Sequence, residues 1–85
     1  MDYIKNNNNI EVIKDDIIVA SISFEEINDD TYNISHTYVD ESLRGQGIAS
    51  KLVEMAVEEI NKRGKKVVAS CSYAKKWLEK RSDRK

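Results

Sequence analysis

The chain has 85 residues, of which 40% are hydrophobic and 34% are charged, and its formal net charge is −1. That length is below the usual size of one domain, so a single domain is expected, and the composition differs from that of disordered chains and of membrane proteins. One cysteine cannot form an internal disulfide, and one cysteine with one histidine cannot complete a four-ligand zinc site. We therefore expect one domain over residues 1–85, no metal, no membrane partner and residence in the reducing cytoplasm.

The two halves of the chain carry opposite charge. Residues 1–42 contain ten acidic and two basic residues, whereas residues 43–85 contain twelve basic and five acidic residues. Two interpretations stay open: the halves attract each other, or the basic half faces an anionic ligand. No nucleic-acid motif accompanies the basic residues, so nucleic acid is not an expected partner.

Three strands are predicted in the acidic half, because apolar residues alternate there with period two. The strands are residues 10–14, residues 18–24 and residues 31–39. The alternation predicts that Ile18 shares a buried face with Phe24, and that His36 shares a face with Ile34 and Tyr38. Short turns between the strands predict an antiparallel meander.

The period changes after Gly47, because apolar residues then recur every four positions up to Ile60. The later elements are a helix over residues 47–63, a strand over residues 65–70 and a helix over residues 73–81, followed by a tail, residues 82–85, that is expected to fray. Gly64 is predicted to end the first helix in left-handed geometry, and Ser72 to cap the second.

The predicted order of elements is β-β-β-α-β-α. A strand, a helix and a strand in succession usually form a parallel crossover, so the sheet is expected to be mixed and mostly antiparallel. The sequence therefore predicts a small fold of the α+β or α/β class.

A glycine-containing basic loop lies between the third strand and the first helix. The loop and the first helical residues are Arg44, Gly45, Gln46, Gly47, Ile48 and Ala49. A helix start presents unpaired N–H groups and a partial positive charge, glycines allow close approach, and arginine adds a permanent charge. These features predict an anion site of the kind that binds phosphate, with a tight turn that binds nothing as the alternative.

This loop resembles the pyrophosphate-binding motif of the GNAT acetyltransferase superfamily, Gln/Arg-x-x-Gly-x-Gly/Ala, whose fixed positions are matched by Arg44, Gly47 and Ala49. The preceding run His36-Thr37-Tyr38-Val39 and the later Cys71 resemble one branch of very small, single-domain GNAT-like proteins. Members of that branch have a His-Thr-x-Val strand and a cysteine after the next strand. The resemblance covers residues 17–81.

The resemblance implies a minimal GNAT-like fold that binds acetyl-CoA and transfers its acetyl group to an amine of a protein, a peptide or a small molecule. It implies that the backbone of the loop, residues 44–49, binds the coenzyme A pyrophosphate, and that Tyr38 and Val39 contact the pantetheine arm through their backbones. The expected state is a monomer or a weak dimer. Two other functions stay open: a module that binds acyl-CoA without transfer, and an interaction domain in which the loop is only a turn.

Two side chains are candidates for the chemistry. Cys71 precedes a helix N-terminus, which lowers a thiol pKa, so it is a candidate nucleophile; lining the pantetheine site or simple burial are the alternatives. His36 is a candidate base for the acceptor amine or for Cys71, with a packed histidine as the alternative. Leu78 stands where many GNAT proteins have a tyrosine that protonates the leaving thiolate, and Tyr73 is a candidate replacement.

Overall fold

The computed structural model describes residues 1–83, with side chains up to residue 80. The strands are β1 (Asp2–Lys5), β2 (Asn9–Lys14), β3 (Ile17–Asn28), β4 (Thr31–Val39) and β5 (Lys66–Ala69), and the helices are α1 (Ile48–Lys62) and α2 (Ser72–Asp83). The strands form one sheet in chain order; β4 and β5 are parallel and the other neighbours antiparallel. The predicted fold class, with its mixed and mostly antiparallel sheet, is confirmed.

The ends of the chain differ from the prediction. Strand β1 was not predicted, because in four residues only Tyr3 packs partly against the core and no alternation is visible in the sequence. The chain thus has four strands before α1 instead of three. Helix α2 continues to Asp83, so the first two residues of the tail expected to fray are helical, and its last two lie outside the described residues.

Two bulges change which side chains share a face. The register between β2 and β3 passes from Ala20 to Ile18 and skips one residue, so Ile18 is 46% exposed and does not share the buried face as predicted. The register between β3 and β4 skips Ser35, so His36 does not lie on the face of Ile34. A bulge inserts one residue and thereby reverses the alternation beyond it, which periodicity alone does not reveal.

Helix α1 ends as predicted. The N–H of Lys65 donates to Ile60 C=O (3.1 Å), and the N–H of Gly64 donates to Asn61 C=O (2.9 Å). Gly64 has a φ of 77°, so the helix terminates in a Schellman motif with glycine in the left-handed position.

Both helices pack on the same face of the sheet. One cluster of buried side chains joins the sheet, α1 and α2: Ile10, Val12, Ala20, Ile22, Phe24, Ile34, Leu43, Ile48, Leu52, Val53, Ala56, Val57, Ile60 and Ala74. A hydrogen bond from Trp77 Nε1 to Ser50 Oγ (2.9 Å) joins the two helices. Within residues 1–83 the opposite face of the sheet has no helix on it, and no helix in this part of the chain is long and apolar enough to cross a membrane.

Few ion pairs join the two oppositely charged halves among the side chains of residues 1–80. Among the described side chains, Lys65 and Glu26 form the single ion pair between the halves, with Nζ and Oε2 3.8 Å apart. The other described pair, Arg63 with Glu59, lies within the basic half. Most of the acidic charge on the sheet and of the basic charge on the helical half therefore remains open to solvent.

Candidate functional site

A cleft of about 350 Å³ opens where the end of β4 meets the start of α1. It is lined by Thr37, Val39, Leu43, Arg44, Gly45, Gly47, Ile48, Ala49 and Tyr73. Most of the loop residues predicted to bind the pyrophosphate therefore line one cavity, together with Val39; Gln46 belongs to the same loop and is exposed.

The start of α1 is built to receive an anion. Gly47 is its N-cap and provides no side-chain hydrogen bond to the helix, and the first turn contains no acidic residue. The first helical bond is from Lys51 N–H to Gly47 C=O (3.0 Å), so the preceding N–H groups have no acceptor inside the helix. Aspartate, serine or threonine would normally satisfy such groups, and their absence leaves the positive end of the helix facing the cleft.

The two loop glycines are required by the backbone. Gly45 has a φ of 86° and Gly47 a φ of 75°, a region that other residues enter at a cost of about 1–2 kcal/mol. A Cβ at either position would meet no protein atom within 4 Å, so it would project into open space beside the cleft. These positions therefore leave room for a ligand against the backbone.

Arg44 is available for an anionic ligand. It is exposed and has no ion pair among the described residues. The nearby carboxylate of Asp40 is engaged elsewhere: it accepts hydrogen bonds from the hydroxyl and the N–H of Ser42, which close the 3₁₀ turn of residues 41–43. The Ser42 hydroxyl and then its N–H lower the pKa of Asp40 below the usual value.

Strands β4 and β5 separate at the level of Ile34. The N–H groups of Ser70 and Cys71 both donate to Ile34 C=O (3.1 and 3.2 Å), and beyond this point β4 continues without β5 as a partner. A gap therefore opens between the end of β4 and the start of α2.

The strand register decides which backbone groups of β4 face this gap. Asp40 N–H donates to Val19 C=O (2.7 Å), so Val39 and Ala20 form a non-hydrogen-bonded pair and Tyr38 exchanges its backbone bonds with Ser21. The backbone groups of Thr37 and Val39 thus point to the gap. The prediction for Val39 agrees with this geometry, whereas that for Tyr38 is corrected, because the bulge moves the available position to Thr37.

Cys71 lies at the inner end of the gap and caps α2. Its C=O accepts from Lys75 N–H (2.9 Å), so Cys71, and not Ser72 as predicted, is the N-cap. Its Sγ lies 3.5 Å from Thr37 Oγ1, and the backbone N–H groups of Ala74, Tyr73 and Thr37 favour a negative charge on the sulfur. The sulfur therefore takes the place that a capping oxygen has in other helices.

This environment favours the thiolate. Burial raises the pKa of Cys71, but the Thr37 hydroxyl and the N–H groups of Ala74, Tyr73 and Thr37 lower it further than burial raises it. The pKa of the thiol thus lies below its ordinary value of 9.0. Thiolates are the reactive form of cysteine, so this environment raises the reactivity of the Cys71 thiol.

Substitution of Thr37 by valine is expected to slow alkylation of Cys71 by iodoacetamide several-fold near neutral pH. The variant loses the hydroxyl donor but keeps the shape, so the thiol pKa rises and less thiolate is present at a given pH. The alkylation rate is measured across pH, and its midpoint should move to higher pH. Thr37→Ser keeps a hydroxyl and serves as the control; equal profiles for all three proteins would contradict the assignment.

The other predicted residues lie in different places. His36 is exposed, and strand alternation puts it on the face opposite to its neighbour Thr37, so the structure does not bring it to Cys71. Tyr73 lines the cleft and is 42% exposed, whereas Leu78 is partly buried against the core. Thr37 was not predicted as a site residue, because the bulge at Ser35 brings it into the site. No group of potential metal ligands occurs among the described residues.

Comparisons with known proteins give the family. A model of the GCN5-related N-acetyl-transferase family matches residues 9–85, and no match was found among proteins of curated function. A GCN5-like candidate N-acetyltransferase from Staphylococcus aureus, solved by NMR, is similar with a TM-score of 0.78 and 31% identity over 96% of this chain and 81% of its own.

Two further structures share the fold at lower identity. The ribosomal-protein-S18-alanine N-acetyltransferase from Escherichia coli has a TM-score of 0.68 and 20% identity, covering 92% of this chain and 50% of its own. An aminoglycoside N-acetyltransferase has a TM-score of 0.57 and 14% identity, covering 73% of this chain and 53% of its own. The chain spans only about half the length of these two enzymes. The family match over residues 9–85 shows that the chain belongs to the GCN5-related N-acetyltransferases, an enzyme family, as its motifs predict.

Proposed function

We propose that this protein transfers the acetyl group of acetyl-CoA to a primary amine and that Cys71 carries the acetyl group in between. The observation that carries the proposal is the position of the Cys71 sulfur, which lies 3.5 Å from the Thr37 hydroxyl oxygen at the start of α2, where its surroundings lower the pKa of the thiol. A nucleophile held in this way, next to an anion-binding helix start, fits acyl transfer from a thioester with an anionic tail.

The coenzyme would lie along the cleft with its pyrophosphate at the start of α1. The unpaired N–H groups of residues 48–50 and the exposed side chain of Arg44 are suitable donors for it. The backbone groups of Val39 that face the gap would pair with the pantetheine amides. The aminoglycoside acetyltransferase that shares this fold was solved in complex with CoA, which supports this assignment.

Acetyl transfer would proceed in two steps. The Cys71 thiolate attacks the thioester carbon, the bond from that carbon to the coenzyme sulfur breaks, and the departing thiolate takes a proton from solvent. The acceptor amine then attacks the acetyl carbon, a C–N bond forms, the bond to Cys71 Sγ breaks, and the amine proton passes to a base. The N–H groups around the sulfur stabilise the Cys71 thiolate before the first step and after the second.

His36 is our proposed base for the acceptor amine. It is exposed on the sheet face that carries no helix, which leaves it accessible to an amine that approaches from that side. Of the two roles predicted for it, this one fits the register of β4, since activation of Cys71 is supplied by Thr37 and the start of α2.

A second candidate function is a module that binds acyl-CoA without transfer. Leu78 stands at the position where many GNAT proteins have a tyrosine hydroxyl. Its side chain is packed against the core and has no proton to give to a leaving thiolate. This module would bind the coenzyme and would leave every acceptor unmodified.

Calorimetric titration with acetyl-CoA, followed by incubation with amine acceptors, tests the proposal. We expect binding near the micromolar range, about −8 kcal/mol, and release of free CoA when an acceptor is present. Binding without CoA release across amines and lysine-containing peptides would favour the module. No binding at millimolar acetyl-CoA would contradict both functions, and the glycine loop would then be a turn.

The cellular setting follows from the same chemistry. A reducing compartment keeps a lone reactive thiol from being oxidised, so we propose the cytoplasm as the location. A monomer or weak dimer is proposed, with acetyl-CoA and an amine as partners.

A further inference from the structure

The sheet face opposite to the helices forms a continuous surface that ends at the acetyl site. The strand register puts side chains of four strands in two rows on this face: Ile4, Glu11, Ser21 and Tyr38 in the first, and Asn9, Ser23 and His36 in the second. Directly opposite residues of neighbouring strands point to the same side, so each row runs across the sheet. We call this surface the open face.

The open face carries short side chains at its centre and two glutamates around them. Ser21 and Ser23 have short side chains in the middle of the sheet, and within residues 1–83 no helix forms a wall beside them. Glu11 lies in the first row, and Glu25, paired with Asn33, points to the same side and is exposed. Small molecules bind in concave pockets, whereas a flat surface suits an extended peptide.

The open face meets the acetyl site at β4. Tyr38 and His36 point to the open face, while Thr37 between them contacts the sulfur of Cys71. Neighbouring strands are about 4.8 Å apart, so Glu11 on β2 lies about 10 Å from Tyr38 on β4. Two lysine side chains of one extended peptide can span this distance, one at the gap and one at Glu11.

The charges of the open face suit a cation. Among the described strands, strand alternation puts one basic residue, Lys66, on the open face. Lys66 is the first residue of β5 and lies beside Thr31, far from the end of β4. The ring of Tyr38, which is 41% exposed, can receive an ammonium group over its face beside the gap. The cleft for the anionic coenzyme lies in the basic half of the chain. The opposite charges of the halves would therefore attract the coenzyme to the cleft and the cationic amine to the open face.

We propose that the open face binds the acceptor and that this acceptor is a lysine-rich peptide segment of a protein. One lysine enters the gap beside Tyr38 and His36, a second interacts with Glu11, and Glu25, four residues beyond Ser21 on β3, adds negative charge to the same face. This inference rests on the proposed acetyl transfer for its biological meaning, but the binding itself can be measured without turnover.

The test is an NMR titration of the ¹⁵N-labelled protein with a peptide of alternating lysine and alanine, beside a matched peptide with glutamine in place of lysine. We expect the lysine peptide to shift amide signals of β2, β3 and β4, and the glutamine peptide to shift none. The double variant Glu11→Gln, Glu25→Gln is expected to weaken binding of the lysine peptide about fivefold, because each exposed contact contributes a modest amount.

The control variant removes the same charge from the other side of the molecule. Glu54→Gln with Glu58→Gln changes two exposed residues of α1 and should leave the affinity within about twofold of the parent. Equal weakening by both double variants, or signal shifts confined to α1 and α2, would overturn the proposal. Binding of spermidine without binding of the peptide would also overturn it, and so would a dimer in sedimentation that buries the open face.

An acetyl-CoA titration of the same samples distinguishes failure of the peptide-binding inference from failure of the proposed acetyl transfer. A protein that binds acetyl-CoA and not the lysine peptide contradicts this inference and leaves the proposed function standing. A protein that binds the peptide and not acetyl-CoA keeps the surface and contradicts the proposed function.

Discussion

Replacement of Gly47 by glutamate is expected to weaken acetyl-CoA binding by about two orders of magnitude. The new side chain starts from open space at the N-cap of α1 and brings a carboxylate to the place proposed for the pyrophosphate. Two like charges about 5 Å apart at a protein surface repel by about 3 kcal/mol, which corresponds to a loss of about two hundredfold in affinity. Calorimetric titration of the folded variant with acetyl-CoA measures this loss.

Gly64 provides a matched control for this substitution. It has a φ of 77°, close to that of Gly47, and a Cβ there would also meet no atom within 4 Å. Gly64→Glu therefore introduces the same charge and the same backbone strain, about 1–2 kcal/mol, at the far end of α1. Both variants should lose similar thermal stability, and only Gly47→Glu should lose the coenzyme. Equal affinity in the two variants would remove the pyrophosphate assignment.

The glycine loop could be predicted from sequence because its determinants are local. The change of period at Gly47, the basic residue before it and the left-handed end at Gly64 are all visible in consecutive residues. Each acts through backbone geometry within one turn of chain, and the structure has α1 over nearly the predicted residues. Local signals of this kind also predicted three of the four strands before α1 and the parallel crossover that follows.

The cysteine site depends on a feature that the sequence does not display. The bulge at Ser35 reverses the alternation of β4, turns Thr37 toward Cys71 and leaves His36 on the open face. A bulge results from the pairing of two distant segments, so the period of one segment cannot reveal it. For the same reason, the backbone groups of Tyr38, which were predicted to contact the coenzyme, are instead hydrogen-bonded to Ser21.

Strand β1 and the cap of α2 were missed for different reasons. The four residues of β1 carry too little alternation to register as a strand, and they gain their structure by pairing with β2. Ser72 is the better capping residue by type, but the gap places Cys71 at the N-cap. Cysteine caps a helix less strongly than serine, so the type of residue did not reveal this cap.

Removal of the Cys71 sulfur decides whether the acetyl group passes through the protein. The variant Cys71→Ala is expected to lose at least about a hundredfold in turnover, because the two-step route has no acceptor in the protein without the thiolate. Incubation of the parent protein with acetyl-CoA and no amine should add the mass of one acetyl group on Cys71, and addition of amine should remove it. The variant should show no such addition in mass spectrometry.

The coenzyme affinity of Cys71→Ala separates the chemical role from a lining role. Cys71 lies beyond the residues that line the cleft, so acetyl-CoA should bind the variant within about threefold of the parent if the sulfur acts only as nucleophile. Full turnover in Cys71→Ala would instead mean direct attack of the amine on the thioester, with the N–H groups of Tyr73 and Ala74 serving the oxyanion. Loss of affinity with unchanged turnover at saturation would mean that the sulfur only contacts the pantetheine arm. The three outcomes differ in the combination of affinity, turnover and acetylated mass, so one set of measurements on two proteins assigns the role of the thiol.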